Sequence, residues 1–330
     1  MKRWSFLLAL VCLLALPYRS FAPLVFRPDE GWVYEKVGEE GGKWRRARAK
    51  EQLEVAQEAL DKKDYDVAEK ASRRVVSQWP ASDYAPKAQY LIGRALEAQK
   101  KDEKAFKEYQ KVIEKYPKIK EYEEVLQRQY EIANRFLGGQ WFKLYGLIPF
   151  FPSMDKTADM YSRIIHNGPY SEVAPQAQLK IGAARERQKD YAAAVKAYGI
   201  AADRYHDHPK VAADALYKAG LAYSKSAQTA EYDRSAAGLA IASFTDFKTL
   251  YPDDSRVADA DKIIGALKTE QARGDFEIAQ FYEKRKHWES ARIYYSEVLQ
   301  KDPNSPFEQT ARERIASLKQ KLESAKAAGK

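Results

Sequence analysis

The chain has 330 residues, 45% of them hydrophobic and 31% charged, with a net charge of +9 at neutral pH. This is the composition of a folded protein, and its charges alternate in sign without the dense basic stripe that nucleic-acid binding calls for. A single cysteine, Cys12, excludes an internal disulfide, so a packed interior must hold the fold together.

Residues 1–22 read MKRWSFLLALVCLLALPYRSFA. Two basic residues precede an apolar run from Trp4 to Leu16, about 20 Å long as a helix and too short for a bilayer core of about 30 Å. The run fits the apolar region of a secretory signal peptide, closed by Pro17. Ser20-Phe21-Ala22 places small residues for cleavage after Ala22, although Pro23 then occupies an unfavourable position. Cys12 is weighed as a lipid-attachment site and disfavoured, because Val11 precedes it and it lies inside the apolar run. Without Lys2, Arg3 and Arg19 the chain carries 53 basic against 47 acidic residues.

Residues 23–46, with two prolines and four glycines, predict an extended tether. Its aromatics Phe26, Trp32, Tyr34 and Trp44 are available to dock on the first helices. The basic cluster Lys43, Arg45, Arg46, Arg48 and Lys50 is read as the solvated start of a helix in preference to a lipid-binding patch.

From there the chain repeats itself. Residues 80–93 (PASDYAPKAQYLIG) and 169–182 (PYSEVAPQAQLKIG) share Pro, Ser, Ala, Pro, Ala, Gln, Ile and Gly at matching positions. Each stretch closes one amphipathic helix with a proline and opens another, the signature of a helical repeat. In these junctions proline stops a helix, serine caps the next one, and alanine and glycine let helices approach closely. Small residues followed twelve positions later by alanine mark the hairpins: Ala56 and Ala68, Gly93 and Ala105, Gly182 and Ala194, Ala279 and Ala291. A third, expanded unit combines a helix over about 121–137 with one over Met154–His166. The fifth, with Gly220, Phe244 and Phe247, carries extra residues within SAQTAEYDRS that predict a protruding loop. A last helix, about 306–325, caps the array before a polar tail. The expected fold is a right-handed α-solenoid of about six tetratricopeptide-like hairpins over 47–305.

The segments WPASDYAPKAQYLIGRALEAQKKDEKAFKEYQKVIEKYP and APQAQLKIGAARERQKDYAAAVKAYGIAADRY resemble the tetratricopeptide family of BamD-like outer-membrane protein assembly factors. The resemblance covers roughly residues 47–305. It implies a non-catalytic scaffold, exported to the periplasm at the inner face of the outer membrane. Its implied partners are BamA-like barrel assembly machinery and unfolded outer-membrane proteins, with peripheral membrane contact and no cofactor. A CpoB-like cell-envelope or division adaptor is the alternative, although residues 23–46 lack the heptads that such a coiled coil needs.

The segment 136–151, FLGGQWFKLYGLIPFF, breaks the repeat. Phe136, Trp141, Phe142, Tyr145, Phe150 and Phe151 gather around Gly138-Gly139 and Pro149. They are partner-binding candidates if exposed, or groove-filling rings if the loop folds back. His206-Asp207-His208 raises a remote reading as a metal-dependent hydrolase. It lies in a turn, however, and a competent site needs three or four converging ligands. No P-loop, GxSxG or HExxH motif is present.

Overall fold

Short polar turns between amphipathic helices dictate the architecture, because a three-residue connection leaves the second helix no course but back along the first. The computed structural model describes residues 24–34, 44–144, 148–229 and 234–328. The leader with Cys12, together with Lys43 and Tyr145, lies outside the described residues. The chain divides into two compact units, up to Val125 and from Leu126 onward.

The first unit opens with a hairpin in the segment expected to be an extended tether. Strand β1 (Leu24–Arg27) pairs antiparallel with β2 (Gly31–Tyr34), with Phe26 opposite Trp32. Helices α1 (Ala49–Asp61), α2 (Tyr65–Gln78), α3 (Ala85–Ala98) and α4 (Asp102–Lys115) then form two helical hairpins. Each helix packs on its neighbours in sequence, and α1 also touches α3. The β-hairpin completes α1: buried Glu30 accepts from the Ala49 N–H at 3.0 Å, satisfying one of the donors that a helix start leaves open. At the far end of the unit Lys87 pairs with Glu121 at 2.6 Å, and the Tyr90 hydroxyl donates to Glu124 at 2.5 Å.

Helix α5 (Tyr122–Leu137) leads into the second unit. There β3 (Phe142–Leu144) and β4 (Ile148–Phe151) make a short antiparallel hairpin with a register shift after Phe142. Helices α6 (Met154–Asn167), α7 (Ala174–Arg187) and α8 (Tyr191–Arg204) follow, then α9 (Pro209–Thr229) and α10 (Arg234–Leu250). The unit closes with α11 (Val257–Lys284), α12 (Trp288–Lys301) and α13 (Glu308–Ala328). Consecutive helices from α6 to α13 pack on one another, the nearest-neighbour pattern of a repeat protein. The molecule is therefore an all-α array of helical hairpins, with two small β-hairpins added.

Two expectations about the helices are corrected. Ser82 and Ser171 do not cap the helices that follow them: their hydroxyls donate backward, to Trp79 O at 2.9 Å and Gly168 O at 2.7 Å. They thereby close the preceding helix, and no side chain caps α3 or α7. The extra residues of the fifth hairpin are absorbed mainly by longer helices, since α9 runs to Thr229 and α10 starts at Arg234. Helix α11 spans 28 residues, about 42 Å, and serves two cores. Its Ile264 packs with Phe244 and Phe247, whereas its Ala279 packs with Tyr295 and Leu318.

Candidate functional site

The repeated residues act as joints. A side chain at Gly93 would place its Cβ 2.4 Å from the Tyr109 ring, and one at Gly182 would lie 2.3 Å from the Tyr198 ring. Only glycine lets these fully buried tyrosines enter the space between paired helices. The ring then carries its hydroxyl to a glutamate four residues beyond the glycine: Tyr109 to Glu97 at 2.8 Å, Tyr198 to Glu186 at 2.5 Å. The last hairpin repeats the bond between Tyr295 and Glu283 at 2.9 Å, with Ala279 at the small position.

Each carboxylate in the second unit also reaches forward along the array. Lys225 of α9 donates to Glu186 at 3.1 Å, and Arg314 of α13 lies 3.6 Å from Glu283. One tyrosine–glutamate pair thus ties a hairpin to itself and to the next helix. Burial, then the adjacent Glu186, raises the Tyr198 phenol far above its usual range, and burial with Glu283 does the same for Tyr295. Both hydroxyls therefore stay protonated donors. The matched glutamines have a similar task. Gln89 donates to Glu108 O at 3.3 Å, and Gln178 donates to Ala197 O at 3.1 Å.

The aromatic segment divides sharply. Phe136 and Phe142 are 1% and 4% exposed and stack with ring centroids 4.2 Å apart, with the Lys156 ammonium 5.1 Å from the Phe142 ring. Trp141 between them is 53% exposed. Its neighbours in the chain therefore anchor the segment while its own indole stays open to solvent. Phe150 and Phe151 belong to β4, but their side chains lie outside the described residues. In the first unit, Phe26 and Trp32 meet at a tilt with ring centroids 5.4 Å apart and remain exposed, whereas Trp44 is half-buried.

His206 sits in the turn after α8, its Nδ1 3.0 Å from Asp203 O, while the His208 ring meets Tyr205 edge-on. Among the described residues, no three or more His, Cys, Asp or Glu side chains converge as a metal site. No helix among those residues is long and apolar enough to cross a membrane.

Antiparallel hairpins with a small-residue joint, coupled in series, define a tetratricopeptide-type repeat protein, a class that generally mediates protein–protein interactions. A tetratricopeptide repeat model matches residues 87–118. The YfiO family model, described as outer membrane lipoprotein, matches residues 154–328, and the chain belongs to that family. No curated protein matches. Among solved structures, the C-terminal part of a tetratricopeptide protein from Cytophaga hutchinsonii is 14% identical, covering 81% of this chain and 88% of its own, with a TM-score of 0.39. A tetratricopeptide repeat protein from Parabacteroides merdae is 15% identical over 82% of this chain and 98% of its own, with a TM-score of 0.35. MamA from Desulfovibrio magneticus is 14% identical over 63% of this chain and 97% of its own, with a TM-score of 0.34.

Proposed function

We propose that this protein is a non-catalytic periplasmic scaffold that acts as BamD does in outer-membrane protein assembly, holding BamA-like machinery and unfolded β-barrel precursors. The observation that carries the reading is the family match over 154–328, which takes in helices α6 to α13 of the second unit. The β3–β4 hairpin stands immediately before that region and offers the exposed Trp141 as a contact, since a large ring held open by buried neighbours suits partner capture.

The test is affinity capture from envelope extracts with the intact chain and with Trp141→Ala. Recovery of the barrel assembly machinery by the intact chain, reduced several-fold by Trp141→Ala at unchanged helicity, supports the proposal. Recovery of division or peptidoglycan proteins without that machinery overturns it. Phe142→Ala is the companion variant. Losing a buried, stacked ring is expected to cost about 3 kcal/mol of stability, so a fall in capture there reports packing rather than contact.

A further inference from the structure

The first unit contains a groove of about 560 Å³ between α2 and α4, with α3 between them and Trp44-Arg45 at its side. Six of its lining side chains are cationic: Arg45, Lys70, Arg73, Arg74, Lys111 and Lys115. The one acidic residue, Glu108, is 7% exposed and already committed. It accepts from Gln89 at 2.7 Å, from Arg73 at 3.2 Å and from Lys111 at 3.1 Å. Those partners hold its carboxyl below the usual carboxylate range despite its burial, so it stays ionised and fixes two of the cations in place.

The other four cations meet no carboxylate among the described residues. Arg45 lies over the Trp44 ring at 5.3 Å, and Arg74 lies 5.8 Å from the centroid of the buried Trp79 ring. The Arg74 Nε is itself buried without an acceptor, a donor that packing alone leaves unsatisfied. The edge of the groove is built rather than incidental. Fully buried Gln52 accepts from the Arg46 N–H at 2.8 Å and donates to Trp44 O at 3.0 Å, pinning the chain ahead of α1.

From this excess of unpaired positive charge we infer that the groove is a docking site for an extended, acidic peptide segment of a partner protein. The inference shares the scaffold reading above but concerns a separate surface. Two rows of cations face the groove, Lys70, Arg73 and Arg74 on α2, and Lys111 and Lys115 on α4. Each row covers about one to one and a half turns, or roughly 6 Å of helix. With Arg45 beyond them, the cations span the length of about three extended residues at about 3.3 Å each. Side chains of an extended strand alternate sides, so consecutive Asp and Glu residues address both rows at once. Trp44, Val76 and Ile92 supply apolar wall, and Gln78 supplies an amide for the peptide backbone. This mixture of apolar, amide and cationic groups suits a peptide better than a bare phosphate.

The test is fluorescence anisotropy of the intact chain with a labelled peptide bearing four consecutive Asp and Glu residues, and with its Asn/Gln counterpart. Binding of the acidic peptide alone, weakening steeply with added salt, is expected. Lys70→Glu with Lys115→Glu, both at exposed helix positions, is expected to weaken it about tenfold or more, as lost attraction gives way to repulsion. A control pair of equal charge change, Lys210→Glu with Lys262→Glu in the second unit, leaves it unchanged. Equal loss in the control pair overturns the proposal, since net charge would then explain the binding. So does equal binding of the amide peptide, or binding of phosphatidylglycerol vesicles in place of the acidic peptide. Trp141→Ala is expected to leave peptide affinity intact, which separates this groove from the contact proposed above.

Discussion

The hairpins α7–α8 and α9–α10 solve the same packing problem with different chemistry. In the first, the Tyr198 ring fills the gap at Gly182 and its hydroxyl is held by Glu186. In the second, the Phe244 ring fills the gap at Gly220, where an added Cβ would lie 2.8 Å away. Phenylalanine has no hydroxyl to place, and Ser224 stands where the glutamate would be, donating instead to Gly220 O at 2.9 Å. The helices of the second hairpin are longer, yet the ring reaches the same gap. Close helix approach is thus set by glycine and ring together, and the polar latch is added only where the ring carries an oxygen for it.

The largest expected effect comes from breaking the shared part. Gly182→Ala forces the Tyr198 ring to shift within a buried site and is expected to cost about 2–3 kcal/mol. Gly220→Ala meets the Phe244 ring less closely and should cost less, measured by urea unfolding of both variants. The Ala279–Tyr295 hairpin shows that alanine is compatible with this position when the surrounding helices are spaced for it. A larger loss at Gly220 than at Gly182 would contradict the ordering by contact distance.

An intermediate effect tests the polar half of the comparison. Phe244→Tyr brings a hydroxyl to a fully buried ring position with no glutamate to receive it. An unsatisfied hydroxyl of this kind costs about 1–3 kcal/mol. Adding Ser224→Glu rebuilds the arrangement seen at Tyr198 and Glu186, and most of the loss should return. Stability measurements on the two single variants and the double variant give the coupling directly. Additive losses would show that residue identity alone does not create the latch, and that the longer α9 and α10 hold these positions apart.

These joints were legible in the sequence because they recur. Gly93, Gly182, Tyr198 and the closing prolines stand at fixed offsets, and helical periodicity exposes which face they occupy. Ser82 and Ser171 were misleading for a local reason. A serine shortly before a helix resembles an N-cap, but the tight turn aims both hydroxyls at the previous helix's last carbonyls. Trp141 and Phe142 are adjacent and equally apolar, and Gly138-Gly139 removes the helical period that would tell inside from outside. The basic groove had no window in which to appear, since Arg45, Lys70, Arg74 and Lys115 meet only after four helices have packed. The β1–β2 hairpin was hidden likewise, because its stabilising contact joins Glu30 to Ala49 across 19 residues.

The smallest effect concerns the turns that α7–α8 shares with three other hairpins and that the described part of α9–α10 lacks. Lys63, Lys100, Lys189 and Lys286 all adopt left-handed backbone, with φ between 58 and 62°. At the α7–α8 turn the Lys189 N–H donates to Glu186 O at 2.9 Å and the Asp190 N–H donates to Arg185 O at 3.0 Å, closing the helix end. A residue with a Cβ is disfavoured in this conformation by about 1–2 kcal/mol, a penalty glycine avoids. Lysine recovers part of it, because an exposed cation at a helix C-terminus is favourable by about 0.3–1 kcal/mol. Lys189→Gly is therefore expected to stabilise the chain by about 0.5–1 kcal/mol in thermal or urea unfolding. The two contributions separate with salt, which screens the charge term and leaves backbone strain untouched. The gain from glycine should accordingly grow as ionic strength rises. A gain that shrinks instead would mean that the lysine's charge opposes the turn, and that strain relief alone does not account for the variant.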